Sequence, residues 1–181
     1  MEGRIKLAEV AAVLHDMREA GIVGDYAVGG ASAVAFYSEP IATKDLDIFF
    51  LFDPPQTSAI LSLEPIYKYC SERGYTYNRE FISIGGWLVQ FVEASHDLLW
   101  CDALANALTF SFDGRDLKVL APEHLAAMWA VVARPKDILK IQHFAENEVL
   151  NEDRLRQVLV RFDLVEAWKK IQGGLPNELR F

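Results

Sequence analysis

The residues with most to offer chemically are Asp45 and Asp47, in Thr43-Lys44-Asp45-Leu46-Asp47-Ile48, and the turn Val28-Gly29-Gly30-Ala31-Ser32 that precedes them. Residues two apart in a strand point to one side, so both carboxylates stand together while Leu46, Ile48 and Phe50 turn to the core. Adjacent carboxylates repel, and a divalent cation, Mg²⁺ or Mn²⁺, removes that cost. Glycines without β-carbons let backbone N–H groups and the start of a helix approach a phosphate closely. Ser32 adds a hydroxyl and Lys44 a positive charge beside the same turn and strand. The implied chemistry is in-line attack on the α-phosphorus of a nucleoside triphosphate, with pyrophosphate departing. Each residue also has an ordinary reading: a polar strand edge for the aspartates, a plain turn for Gly29-Gly30, a first-turn helix residue for Ser32, and a solvated counter-charge for Lys44.

These residues need a strand, a glycine turn, a short helix and a second strand to position them. The pattern supplies that order: Tyr26 to Val28 reads as a strand, Ala31 to Tyr37 as a short helix, and Leu46 to Leu51 as a strand stopped by Pro54-Pro55. Before them, Leu7, Val10, Ala11, Leu14 and Met17 recur at helical spacing over about residues 4–20. A helix over Ser62 to Arg73 tolerates Pro65 in its first turn. Gly85-Gly86 and Asp113-Gly114 signal two hairpins, with strands at Arg79 to Ile84, Trp87 to Glu93, Leu108 to Phe112 and Leu117 to Leu120, and Asp97 to Asn106 helical between them. From Pro122 the pattern is helical: Pro122 to Ala133, Pro135 to Glu146, Asn151 to Arg161 and Leu164 to Ile171. The expected fold is α/β, a mixed sheet flanked by helices, with residues 1–121 as core and 122–181 as a helical segment packed on it in one compact domain.

Composition narrows the partners. With 181 residues, 51% of them hydrophobic, the chain can bury a substantial core. A formal net charge of −8 argues against extensive nonspecific nucleic-acid binding, although Arg134, Lys136 and Lys140 form a local basic group. Cys70 and Cys101 are far apart and fit no zinc spacing, which points to the reducing cytoplasm, and no apolar run is long enough to span a bilayer. His15, His96, His124 and His143 have no ligand spacing, and neither a G-x-S-x-G elbow nor a P-loop occurs.

The GG-x-S turn, the short helix and the D-x-D strand together resemble the DNA polymerase β-like nucleotidyltransferase superfamily. The stretch from Pro122 through Glu123-His124-Leu125 to Arg134-Pro135-Lys136-Asp137 is similar to the "E-h-L … R-x-K-D" segment of AbiEii-type nucleotidyltransferases, bacterial toxins of type IV toxin–antitoxin systems. The resemblance implies a metal-dependent transfer of a nucleoside monophosphate to an acceptor hydroxyl. It makes Asp45 and Asp47 metal ligands, gives Gly29, Gly30, Ser32, Lys44, Arg134 and Lys136 to the nucleotide, and allows an antitoxin-like protein partner.

Three positions depart from that pattern. The superfamily's third acidic residue falls on a later strand, matched here by Trp87 to Val92, and by position it is Gln90; Glu93 is the nearest acid, but alternation puts it with Val89 and Phe91 unless a bulge intervenes. Trp129 stands where AbiEii-like proteins carry a lysine, and Lys140 where they place an aspartate. The sequence therefore supports two readings: a nucleotidyltransferase whose site Gln90 or Glu93 completes or borders, and a catalytically impaired nucleotide-sensing or partner-binding module on the same fold.

Overall fold

The computed structural model describes residues 2–55, 62–112 and 114–180. The amphipathic N-terminal stretch forms α1 (Glu2–Glu19), and the chain then enters β1 (Val23–Val28), a 3₁₀ turn (Ser32–Phe36) and β2 (Asp45–Phe52). After α2 (Glu64–Glu72) come β3 (Tyr77–Asn78), β4 (Phe81–Ile84) and β5 (Trp87–Glu93), then α3 (Leu98–Ala105), β6 (Leu108–Phe112) and β7 (Arg115–Val119). Four helices close the chain: α4 (Pro122–Val132), α5 (Pro135–Glu146), α6 (Glu152–Arg161) and α7 (Val165–Ile171).

The strands form a single seven-stranded mixed sheet in the order β3-β4-β5-β2-β1-β7-β6. Two pairings decide where chemistry can occur. β1 and β2 are antiparallel with Val28 opposite Ile48, so the end of β1 lies beside the start of β2. β2 and β5 are parallel, which sets Asp45 against Leu88 and Asp47 against Gln90. Both faces of β2 are covered: Leu46, Ile48 and Phe50 are buried on one side, and Phe49 is buried on the other, where Trp100 of α3 meets its ring edge-on at 5.3 Å. A strand covered on both faces reads as a continuous apolar run rather than an alternation, which is why Leu46 to Leu51 looks uniformly hydrophobic.

Local chemistry explains the element ends. Gly85 and Gly86 take φ of 57° and 79°, the positive angles of a tight hairpin between β4 and β5. Asp97 caps α3 by accepting from the Leu99 and Trp100 amides, and Asn151 caps α6 by accepting from Arg154 N–H. The expected helix at Ala31 to Tyr37 is a 3₁₀ turn, the short form such five-residue pieces take. The two-residue edge strand β3 has no signal in the sequence; it exists only through pairing with β4. Asp113 of the expected Asp113-Gly114 turn lies outside the described residues, but the strands it joins pair from Leu108 opposite Val119 to Phe112 opposite Arg115. No helix among the described residues is long and apolar enough to cross a membrane.

The C-terminal helices build a wall beside the sheet. α4 packs on α3, α5, α6 and α7, and Leu125, Ala126, Ala127 and Ala130 are buried in the process. Glu123, the acid of the E-h-L stretch, is buried and accepts a 2.9 Å hydrogen bond from the Asn151 amide, which ties α4 to the start of α6.

Candidate active site

The glycine turn and the aspartate strand meet because the antiparallel β1–β2 register brings them together. Gly29 N–H donates to the Asp47 carbonyl at 2.8 Å. Gly30 takes φ 59°, and a Cβ there would overlap the Asp47 carboxylate. A Cβ at Gly29 would come within 2.5 Å of the Phe49 ring. Both glycines are therefore required by close packing against β2, one against its aspartate and the other against its aromatic residue.

Asp45 is exposed and Asp47 half-buried, both on the β2 face opposite Leu46 and Ile48. They open into a cleft of about 570 Å³, within the size range of nucleotide and cofactor sites. Gly30, Ala31, Thr43, Phe49, Gln90, Asp97 and Trp100 line the same cleft on the sheet side. The far side comes from α4 and from the start of α5, through Met128, Trp129, Arg134, Lys136 and Lys140.

The cationic side is organised around one buried acid. Asp137 has a side chain with 0% exposure, and it receives Arg134 Nε at 2.6 Å and Lys140 Nζ at 2.7 Å. Burial by itself would raise its carboxyl, but the hydrogen bonds from Arg134 and Lys140 reverse this and hold it below the usual carboxylate range. Lys140 Nζ also lies 4.5 Å from the centre of the Trp129 ring. Burial pushes the Lys140 ammonium down, and Asp137 opposes that shift. Arg134 reaches its place because Ala133 closes α4 in the left-handed conformation at φ 52°, turning the chain sharply before Pro135 starts α5.

Across the cleft Asp47 is held above the ordinary carboxylate value, first by burial and then by Asp45; Lys140, Lys136 and Arg134 work in the opposite direction. A half-buried carboxylate destabilised by a second one is a site for a hard cation with oxygen ligands. No group of three or more His, Cys, Asp or Glu side chains with metal-binding geometry occurs among the described residues. Asp45 and Asp47, side by side on one face of β2, are the pair of carboxylates that would hold a divalent ion in this cleft.

Of the residues singled out from sequence, Gly30, Asp45, Asp47, Gln90, Arg134 and Lys136 share the cleft. The other four lie outside its lining. Ser32 Oγ donates to the Gly29 carbonyl at 3.0 Å and is buried, so it braces the turn. Gly29 packs against Phe49, and Lys44 is exposed next to the aspartates. Glu93 sits at the far end of β5 opposite Phe50, and its carboxylate accepts from the Ser95 amide and hydroxyl at 3.0 and 2.9 Å. Trp100 and Asp97 line the cleft without a signal in the sequence, because α3 follows β5 and only the sheet's folding brings it to β2.

No protein-family model and no curated protein sequence matches the chain. Solved structures do. The antibiotic-resistance factor ANT(2'')-Ia in solution aligns with a TM-score of 0.54 at 13% identity over 92% of this chain and 95% of its own. The crystal structure of ANT(2'')-Ia in complex with adenylyl-2''-tobramycin gives 0.54 at 12% identity over 90% and 98%. An antigenic nucleotidyltransferase-like protein from Paracoccidioides brasiliensis gives 0.52 at 15% identity over 95% and 94%. The chain has the nucleotidyltransferase fold.

Proposed function

We propose that the chain is a metal-dependent nucleotidyltransferase that moves a nucleoside monophosphate from a nucleoside triphosphate to an acceptor hydroxyl. The observation that carries this reading is the meeting of Gly30 with Asp47 on one side of a cleft whose other side presents Arg134, Lys136 and Lys140. Asp45 and Asp47 would hold Mg²⁺ or Mn²⁺, which supplies charge neutralisation at the phosphate oxygens. Arg134 and Lys136, at the start of α5, would receive the negative charge that builds on the departing pyrophosphate, next to a helix N-terminus that favours anions. Calorimetric titration with each triphosphate and Mg²⁺ or Mn²⁺ tests the binding step. Heat that disappears in the Asp45→Asn, Asp47→Asn double variant supports it, and the absence of binding to any triphosphate overturns it. Release of pyrophosphate from a bound triphosphate, with label transferred from its α-position, then tests the chemistry.

Gln90 favours a second reading. With an amide instead of a carboxylate opposite Asp47, the cleft suits a nucleotide-sensing or partner-binding module that retains its ligand without turnover. A stoichiometric partner that still copurifies after loss of both aspartates would select this reading. The AbiEii-type likeness of Arg134 to Asp137 extends the first reading to a cytoplasmic toxin with an antitoxin-like partner. Growth arrest on expression, absent in Asp47→Asn, is its expected signature.

A further inference from the structure

The two carboxylates of β2, one amide and one enclosed ammonium define how many cations this cleft can take, because Asp97, the other acid of its lining, has its carboxylate engaged by the Leu99 and Trp100 amides at the start of α3. Gln90 stands opposite Asp47 in the parallel β2–β5 ladder and lines the cleft, so the place from which a third carboxylate would reach the metal is neutral. Glu93 cannot substitute for it. It is three residues further along β5, paired with Phe50, and its carboxylate is engaged by Ser95. Two divalent ions about 4 Å apart repel with four times the energy of a pair of single charges at that distance, and anionic ligands shared between them must offset it.

Lys140 adds to the asymmetry. Its side chain is 10% exposed, it is fixed by Asp137 at 2.7 Å and by the Trp129 ring at 4.5 Å, and it lines the cleft facing the aspartates. The buried carboxylate of Asp137 is shared with Arg134, so it does not cancel both cations. A fixed ammonium here neutralises phosphate charge and disfavours a second metal ion.

We infer that this cleft binds its nucleoside triphosphate with one divalent cation, on Asp45 and Asp47, and that Lys140 provides the positive charge a second metal ion would bring. The inference rests on the nucleotide-site reading above and specifies its cofactor stoichiometry. It makes Gln90 the residue that sets the metal count and Lys140 a residue that binds the triphosphate.

The test is electron paramagnetic resonance of Mn²⁺ retained by the protein with one equivalent of a non-hydrolysable triphosphate, each of the four common bases in turn. A single bound ion gives an uncoupled manganese sextet, whereas two ions within about 4 Å give a spin-coupled spectrum. The wild-type chain is expected to show the sextet with one Mn²⁺ per chain. Gln90→Glu, or Gln90→Asp should the first variant fold poorly, is expected to gain the coupled spectrum at high Mn²⁺. Adding Lys140→Gln to Gln90→Glu should lower the Mn²⁺ needed for that second ion about tenfold, since a fixed like charge is removed. Lys140→Gln alone should weaken triphosphate binding and keep the sextet. A coupled spectrum in the wild-type protein, or a Gln90→Glu protein that stays at one ion, overturns the inference and leaves the nucleotide site standing. Mn²⁺ retention that no triphosphate changes overturns the nucleotide site and the inference with it.

Discussion

Gly30 is the residue on which the site turns most sharply. Its positive φ and its contact with the Asp47 carboxylate exclude any side chain. Gly30→Ala should cost about 1–2 kcal/mol of stability from the left-handed backbone alone and should displace Asp47. Metal-dependent nucleotide heat is therefore expected to vanish while the protein still melts cooperatively, as paired calorimetry and thermal denaturation would show. The sequence displayed this residue plainly: two adjacent glycines after a short apolar run mark a strand-to-turn junction, and the D-x-D spacing places both carboxylates on one face. It did not display the roles of Ser32 and Lys44. A serine after a glycine turn can face a ligand or its own backbone, and only the folded turn shows Oγ donating to Gly29.

Among the elements, the α4–α5 corner does the positioning. Ala133 holds a left-handed conformation that glycine adopts without penalty, so Ala133→Gly should raise stability by about 1 kcal/mol, read as a higher urea midpoint, and leave nucleotide binding unchanged. Two residues beyond Pro135, Asp137→Asn should cost about 3 kcal/mol at pH 7, because Lys140 and Arg134 lose the charge that holds them. Asp137 titrates below the ordinary carboxylate value in the folded protein, so its contribution is complete above the unfolded value and lost as pH falls through the folded one. The difference between wild type and Asp137→Asn should thus shrink below about pH 4, in urea melts across an acid series. Helix boundaries of this region were legible because Pro122 and Pro135 mark first turns. What the region faces was not. Glu123 and Asp137 are both acids in an amphipathic pattern, yet the first ties down α6 and the second organises the cleft cations; tertiary packing alone separates them.

For the whole molecule, strand order is the part a sequence conceals. Hairpins β4–β5 and β6–β7 could be read from their turns, since local pairing follows turn chemistry. The parallel β2–β5 and β1–β7 pairings join segments far apart in the chain. It is β2–β5 that puts Gln90 beside Asp47. The alternation of β5 already pointed to Gln90 and away from Glu93, but the distance between Glu93 and the aspartates became definite only with that ladder.

The four acids Asp45, Asp47, Asp97 and Asp137 and the three bases Arg134, Lys136 and Lys140 leave the cleft with a net charge of −1, on a chain whose formal charge is −8. An incoming magnesium triphosphate is an anion, so during approach it meets the field of the whole molecule before the basic side of the cleft. Diffusional encounter is then opposed, and added salt screens that opposition over a Debye length of about 10 Å at 0.1 M. Stopped-flow association is expected to quicken by roughly twofold or more between low and moderate ionic strength, whereas a phosphate-binding protein with a basic surface slows. The molecule would thus be a reluctant captor whose capture rate follows the ionic strength around it.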